Sequence, residues 1–508
     1  VVECLLAALS GVLYVLAFPG FDLWPLAFVA LVPVLYGLVS HEHSLGLALR
    51  IGLVLGLVTQ LFGFWWLLST LRVFAALPVA VCVLVYLVIC LGQAGQQVLF
   101  VALVWWVKRR GHDPLLFAPL AYGAAELAYP ALFPSYFAAS LHRVPLFLQL
   151  ADLGGPSLVS MLLVALNASV CSALRNTRRA GASPLRPLAA GVLLLFSMAG
   201  YGALRAAQLE QEVAHAPKLA VGIVQANMER LEKREARAEG RRRHLEQSAQ
   251  LEQGLGRPAR GSRAPDLLVW PETALQYVLP DEIKNVHAML GSLTTPLLFG
   301  GLGHRVVRGR AQLHNSAFLA DADGRVLGRS DKMRLIPFAE HIPLGDRFPR
   351  LYDLLPNTGE FTPAAHPIAL AFHGHRIAAL ICYEDVLSGF VRDVMQRTDA
   401  HLLVNLSNDA WFGRTREPQI HFALAKLRAI EQRRYLVRAS NSGISGVIDA
   451  FGRVVVESSA FTRSSLRAEV ALLSGSTMYR RFGDWPVSLA LSVLLWALLP
   501  THVRGRRQ

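Results

Sequence analysis

Cysteine is scarce in this 508-residue chain and never paired in spacing: Cys4, Cys82, Cys90 and Cys171 fall in apolar runs, and Cys382 stands alone in a polar region. That pattern excludes a disulfide framework and a Cys/His zinc site. Lysine is scarce relative to arginine. Of 50 basic residues only Lys108, Lys218, Lys233, Lys284, Lys332 and Lys426 are lysine. Charged residues make up 17% of the chain, and the net charge of +14 is not gathered into a basic stripe with interleaved aromatics. No nucleic-acid groove is expected from that arrangement. What abounds is apolar surface: 53% hydrophobic residues and a mean hydropathy of +0.38 exceed ordinary soluble composition.

The apolar mass lies in residues 1 to 206 and again from 485 to 502. A helix needs roughly 20 apolar residues to cross a hydrocarbon core. Runs that meet or approach this are 3–18, 23–40, 46–69, 75–107, 115–140, 145–174, 186–206 and 485–502, which predicts eight spans. The first run is short and opens on Val1 instead of Met, and reads as a truncated start or a signal-like anchor. Arg50, Lys108, Arg109, Arg110, Arg175, Arg178, Arg179, Arg186, Arg504, Arg506 and Arg507 fall in one set of alternate loops; only Arg72 and Arg143 fall in the other. Basic loops face the cytoplasm. Both termini are therefore expected there, and the polar domain on the opposite, periplasmic side of a bacterial inner membrane. Ionisable residues inside the runs are few, Glu126 being the main one, which argues against a transport pathway.

The expected organisation is a polytopic α-helical membrane bundle of about seven helices over 1–206, a polar domain over 217–470, a last helix over 485–502 and a basic cytoplasmic tail over 503–508. Within the polar domain, short β-branched runs predict strands at 219–224, 267–270, 297–300, 316–320, 377–381, 402–406, 436–440, 446–448 and 454–456. Helices are predicted over 228–253, 281–291, 387–397 and 417–433. This alternation, with hairpin-like pairs, predicts an α/β or α+β sandwich with buried sheets. The ten basic and six acidic residues of 229–263 read as a solvated helix and loop.

Candidate chemistry starts at Ile377-Ala-Ala-Leu-Ile-Cys382-Tyr-Glu-Asp, a strand that delivers a cysteine to a turn before a helix. A thiol beside a helix N-terminus is expected to have a depressed pKa, which suits a nucleophile; a buried structural cysteine is the alternative. Leu267-Leu-Val-Trp-Pro-Glu272-Thr ends a strand in a glutamate. Ser330-Asp-Lys332-Met-Arg-Leu-Ile-Pro-Phe-Ala-Glu340 places one of the rare lysines before a Pro-containing loop, where a compact ammonium has a use that arginine cannot supply. His373 and His375 lack a further ligand at metal-site spacing and read as strand or turn residues.

The motifs Val-Gln-Ala-Asn (224–227), Trp-Pro-Glu-Thr (270–273), Asp-Lys-Met-Arg-Leu-Ile-Pro-Phe-Ala-Glu (331–340), Ile-Cys-Tyr-Glu (381–384) and Asn-Leu-Ser-Asn-Asp-Ala-Trp-Phe-Gly (405–413) stand in an order that resembles the carbon-nitrogen hydrolase, or nitrilase, superfamily. With the apolar bundle ahead and one span behind, nearly the whole chain resembles its membrane-bound branch, the apolipoprotein N-acyltransferases. The resemblance implies a nitrilase-like αββα sandwich over 217–470. It also implies a triad: Glu272 as general base, Cys382 as nucleophile and Lys332, with the Tyr383 amide, as oxyanion support. Glu340 is implied beside the triad, Tyr383 and Glu384 around the pocket. Trp411 and Phe412 are read as lining an acyl slot or packing in the core. The implied reaction is ping-pong: a phospholipid acyl donor forms a Cys382 thioester, and the N-terminal amine of a diacylglyceryl apolipoprotein accepts the chain. It calls on no cofactor and no metal. A membrane-tethered amidase or nitrilase is the alternative, but small-amide hydrolysis gains nothing from eight spans. The charged stretch from Met228 departs from the aromatic entrance common in the family, so no entrance residue is carried over. Apolar residues from Leu335 to Leu354 suggest a loop that covers the site or dips into the bilayer surface.

Overall fold

The computed structural model describes residues 1–499 except 76–77, 229–236, 259–262, 292, 308, 346, 349 and 355–357. The basic tail and the charged stretch after Met228 lie outside the described residues. The chain forms two compact units, one of Val1–Trp65, Val83–Leu204 and Phe482–Gln508, the other of Trp66–Cys82 and Arg205–Arg481.

The first unit is helical. Leu45–Gly63, Val79–Arg109, Ala151–Asn176 and Leu185–His215 are long and apolar enough to cross a membrane, and Val2–Ala17, Trp24–Ser40, Pro114–Ala128 and Trp485–Leu498 are shorter apolar helices. The eight expected runs thus become four long helices and four short ones. Local chemistry explains the shortening. The run 115–140 stops being helical at Ala128, ahead of Pro130 and Pro134, and continues as a 3-10 turn at Phe137–Leu141. The run 23–40 breaks between Trp24–Phe28 and Val32–Ser40, where buried Asn167 accepts from the Leu31 amide and donates to the Ala27 carbonyl, both at 2.8 Å. Gly52 and Gly56, one turn apart, let two helices meet closely: a Cβ at either would fall 2.7 Å from backbone atoms of Val98 or Ala94. Small-residue contacts of this kind replace the hydrophobic effect as the packing device in lipid.

The second unit carries two sheets. Its strands are β1 (Lys218–Gln225), β2 (Arg257–Pro258), β3 (Leu267–Val269), β4 (Leu275–Pro280), β5 (Leu297–Val307), β6 (Arg310–Ala320), β7 (Val326–Asp331), β8 (Ala369–Phe372), β9 (His375–Ile381), β10 (Leu402–Ser407), β11 (Leu436–Ser440), β12 (Gly446–Ile448), β13 (Val454–Glu457) and β14 (Ser464–Ala471). The first sheet runs β2-β14-β1-β3-β5-β6-β7 with β4 also on β5; the second runs β13-β12-β11-β10-β9-β8. β9, β10 and β11 are parallel neighbours, and β10 and β11 are buried along their whole length, as parallel strands covered on both faces are.

The sheets face each other, β1 against β11 and β6 against β9, with helices outside. Leu245 and Leu251 of the helix Arg237–Glu252 pack on Trp270, Phe299 and Phe318 of the first sheet. Val391, Val394 and Met395 of Ser388–Thr398, with Phe422, Ala425 and Ala429 of Glu417–Gln432, pack on Leu380, Leu403 and Leu436 of the second. This is the αββα sandwich. The helix expected over 281–291 is confined to His287–Leu290, because Asn285 bridges to Arg325 instead. β2, β4, β7, β8 and β14 were not predicted. In β14, Arg467 and Glu469 interrupt a strand whose Leu466, Ala468 and Val470 are buried.

Candidate active site

Three strand ends converge in the sandwich. β3 ends at Val269, and Trp270 and Pro271 carry the chain on to Glu272. Trp270 is fully buried, its indole Nε1 donating to Ser248 Oγ at 2.8 Å. Gly300 on β5 admits this turn: a Cβ there would sit 2.5 Å from the Thr273 nitrogen and 2.7 Å from Glu272 Cα. β7 delivers Lys332, whose amide donates to the Asn315 carbonyl of β6 at 2.8 Å. β9 delivers Cys382, first residue of the one-turn 3-10 helix Cys382–Val386.

Four side chains close a ring in which donors and acceptors alternate. Glu272 Oε1 accepts from Asn315 Nδ2 at 2.7 Å and lies 3.5 Å from Lys332 Nζ. Glu340 Oε1 accepts from Lys332 Nζ at 2.7 Å and from Asn315 Nδ2 at 3.2 Å, while its Oε2 accepts from the Ile336 amide. Lys332 is 1% exposed. Burial alone would depress its pKa, but the charges of Glu340 and Glu272 outweigh burial and hold it above its ordinary value. It is a fixed ammonium at neutral pH.

Cys382 has φ 55° and is 4% exposed. Its thiol pKa is raised, not depressed as expected from the sequence: burial pushes it up, Glu272 adds to that, and Lys332 opposes. Cys382 opens a 3-10 turn of five residues, and the expected helix, Ser388–Thr398, starts six residues on, beyond the first turn over which a helix N-terminus acts on a charge. To act as a nucleophile, a neutral thiol here would need a base. Moving its proton to Glu272 leaves the net charge of the buried site unchanged, so the transfer incurs no new charge-burial penalty.

Glu384, two residues on, binds the two sheets' contributions together. Its Oε1 accepts from the amides of Met333 and Arg334 at 2.6 and 3.0 Å, and its Oε2 from the Ile381 amide at 2.8 Å. The lysine loop and the cysteine strand are thereby tied through one carboxyl. Burial pushes that carboxyl up to about 7, against the pull of these amides and of Lys332.

The model of the carbon-nitrogen hydrolase family matches residues 220–477, and that of the apolipoprotein N-acyltransferase N-terminal domain matches residues 10–169. An apolipoprotein N-acyltransferase of Geobacter metallireducens is 32% identical over 95% of this chain and 92% of its own length; one of Azotobacter vinelandii is 34% identical over 97% and 94%. The chain belongs to the apolipoprotein N-acyltransferase family. Membership makes it an acyltransferase built on a carbon-nitrogen hydrolase domain. Among solved structures, an amidase from Nesterenkonia sp. is similar over 53% of this chain and 96% of its own, at 18% identity and a TM-score of 0.35.

Of the other residues implied by the family resemblance, Tyr383 is half-buried beside Cys382. Trp411 and Phe412 lie in the turn Asp409–Phe412, both half-buried, and Phe412 meets Trp66 edge-on at 5.4 Å between ring centres. Trp66 opens the helix Trp66–Ala75, which packs on this turn. Phe338, Leu344 and Phe348 of the apolar loop are exposed. His373 sits at the tight turn joining β8 to β9 and His375 begins β9.

Asn315 went unread in the sequence, as did a second buried group made of Asp385, Asn405, Asp409, His421 and Arg438. Their signal was present: a polar residue inside a fully buried strand, such as Asn405 in β10 or Arg438 in β11, needs a partner. Two of these, Asp409 and His421, together with Glu417 place ligand atoms within 4.8 Å of one another, the only such metal-capable grouping among the described residues. Arg438 already brings a positive charge into it, with Nη2 3.1 Å from Asp409 Oδ2 and 2.9 Å from His421 Nδ1. Burial opposes a second proton on His421, and the nearby carboxylates favour it. The Arg438 contact decides the matter, because a guanidinium only donates and at this distance needs the Nδ1 lone pair. The ring therefore carries its proton on Nε2, 2.7 Å from Asp385 Oδ1.

Proposed function

We propose that the chain transfers an acyl chain from a phospholipid to the N-terminal amine of diacylglyceryl-cysteine apolipoproteins, in two half-reactions joined by a thioester on Cys382. The observation that carries this reading is the closed ring of Glu272, Asn315, Glu340 and Lys332 beside a buried cysteine, in a chain whose relatives are named for that transfer.

Glu272 takes the thiol proton and the thiolate attacks the ester carbonyl. Lys332, with the amide of Tyr383, stabilises the oxyanion. The C–O bond breaks, and Glu272 returns the proton to the departing lysophospholipid oxygen. Glu272 then deprotonates the acceptor amine, the amine attacks the thioester, the C–S bond breaks, and Glu272 passes the proton to the leaving sulfur to regenerate the cysteine. Glu340 holds Lys332 in place throughout. Glu384 keeps the lysine loop and the nucleophile strand in register, and Trp411 and Phe412 handle the acyl chain. The thioester outlives water attack if the exposed apolar loop around Phe338, Leu344 and Phe348 shields it at the bilayer surface.

The loop charges support a placement in the bacterial inner membrane with the domain 217–470 in the periplasm, both termini in the cytoplasm and the last span at 485–502.

The test is intact-mass analysis of the purified enzyme with phosphatidylethanolamine, wild type against Cys382→Ala. A hydroxylamine-labile gain of one acyl chain, absent in the variant, is expected. No adduct on a reduced, accessible Cys382 would overturn the reading in favour of a tethered amidase.

A further inference from the structure

The second buried ionic group lies directly beneath the nucleophile. Arg438, on β11, is fully buried, and its Nη1 donates to Asp385 Oδ2 and to Asn405 Oδ1, each at 2.8 Å. Asp385 stands in the same turn as Cys382, three residues on. Asn405, on β10, passes the contact forward: its Nδ2 donates to the Cys382 carbonyl at 3.1 Å. The elbow is therefore held at its first residue through Asn405 and at its fourth through Asp385. The other branch of the guanidinium, Nη2, holds Asp409, first residue of the turn that carries Trp411 and Phe412. Gly443 makes room for that carboxylate, since a Cβ there would lie 1.8 Å from Asp409 Oδ2.

Packing alone does not call for such a group. An apolar side chain of similar volume fills a core without the desolvation that a buried guanidinium and two carboxylates incur. The fork's value is geometric: it fixes two chain segments at once, which a lysine's single point charge does not. We propose that Arg438 is a positioning residue of the acyl transfer, holding the Cys382 elbow through Asn405 and Asp385 and the aromatic turn through Asp409, so that thiol and acyl slot keep one spacing. The inference rests on Cys382 being the nucleophile.

Asp385→Asn and Arg438→Lys test it in the full-length enzyme in detergent micelles, with Cys4, Cys82, Cys90 and Cys171 replaced by alanine. Three readouts are taken: single-turnover thioester formation from phosphatidylethanolamine, the pH profile of Cys382 alkylation by iodoacetamide, and thermal melting. The charged groups around the thiol are Glu272, Lys332, Asp409, Glu340 and Arg438. Asp385→Asn removes a negative charge from beside that set, so electrostatics alone would ease thiolate formation and speed the reaction. Positioning demands the opposite. Thioester formation should fall about 100-fold, with an unchanged dependence on donor concentration and an alkylation midpoint that is unchanged or lower. Arg438→Lys should lose about tenfold or more by the same route. Rates within about threefold of the parent in folded variants overturn the inference, as does loss of the fold in both, which would assign the cluster to folding alone. A parent that forms no thioester counts against the proposed function, a result distinct from either variant outcome.

Discussion

Two buried ionic groups flank Cys382, and they are built differently. The group from the first sheet centres on a lysine between two glutamates, closed by Asn315; the group from the second centres on an arginine between two aspartates, closed by Asn405 and His421. An ammonium pinned by a carboxylate offers a compact point charge to an oxygen that becomes negative. A guanidinium fork fixes what it holds. On the proposed mechanism the difference separates two tasks, chemistry on one side of the thiol and geometry on the other.

Substitutions can break or sharpen that division. Glu272→Gln removes the proposed base but keeps the shape, and single-turnover thioester formation should fall about 10⁴-fold with melting little changed. Lys332→Arg keeps the charge but forces a planar fork into the ring. A loss of about 10²- to 10³-fold in the same assay is expected, and a rate near wild type would erase the contrast between the two groups. Asn315→Asp puts a third carboxylate within hydrogen-bond reach of two others. A shared proton then raises the apparent pKa of the base, so the acid limb of the pH–rate profile moves to higher pH and the rate at neutral pH drops about tenfold.

Glu417→Gln addresses the geometric side and should have the smallest effect. Burial and the neighbouring Asp409 push the Glu417 carboxyl up to about 8, so it is protonated at neutral pH and glutamine mimics it. Thioester formation should stay within about threefold of wild type. Because the folded pKa is raised, wild-type stability falls as pH rises from the unfolded value near 4.5 through about 8. The variant should therefore gain in melting temperature relative to wild type across that window, and parallel curves would count against a neutral Glu417.

Much of this was legible in the chain. The apolar runs located the helices of the first unit. The run 377–381 placed Cys382 at a strand end, and the order of five motifs pointed to the αββα sandwich. What stayed hidden has a common cause in long-range contact. Asn315 acts across 43 residues on Glu272, and Arg438 across 53 on Asp385, and no periodicity reports such distances. The direction of the Cys382 shift was misread because proximity to a helix start is local and visible, whereas burial belongs to the finished fold. Spans such as 115–140 came out shorter because Pro130 and Pro134 end a helix that hydropathy alone would continue.

The left-handed backbone at Cys382, φ 55°, sets folding and function against each other at one residue. A side chain there costs about 1–3 kcal/mol that glycine would not incur. Cys382→Gly should therefore melt above Cys382→Ala although both are inert. If folding alone chose the residue at 382, the enzyme would drift toward a sturdier form, so, with Cys382 as the proposed nucleophile, the cysteine marks a position where activity outweighs stability.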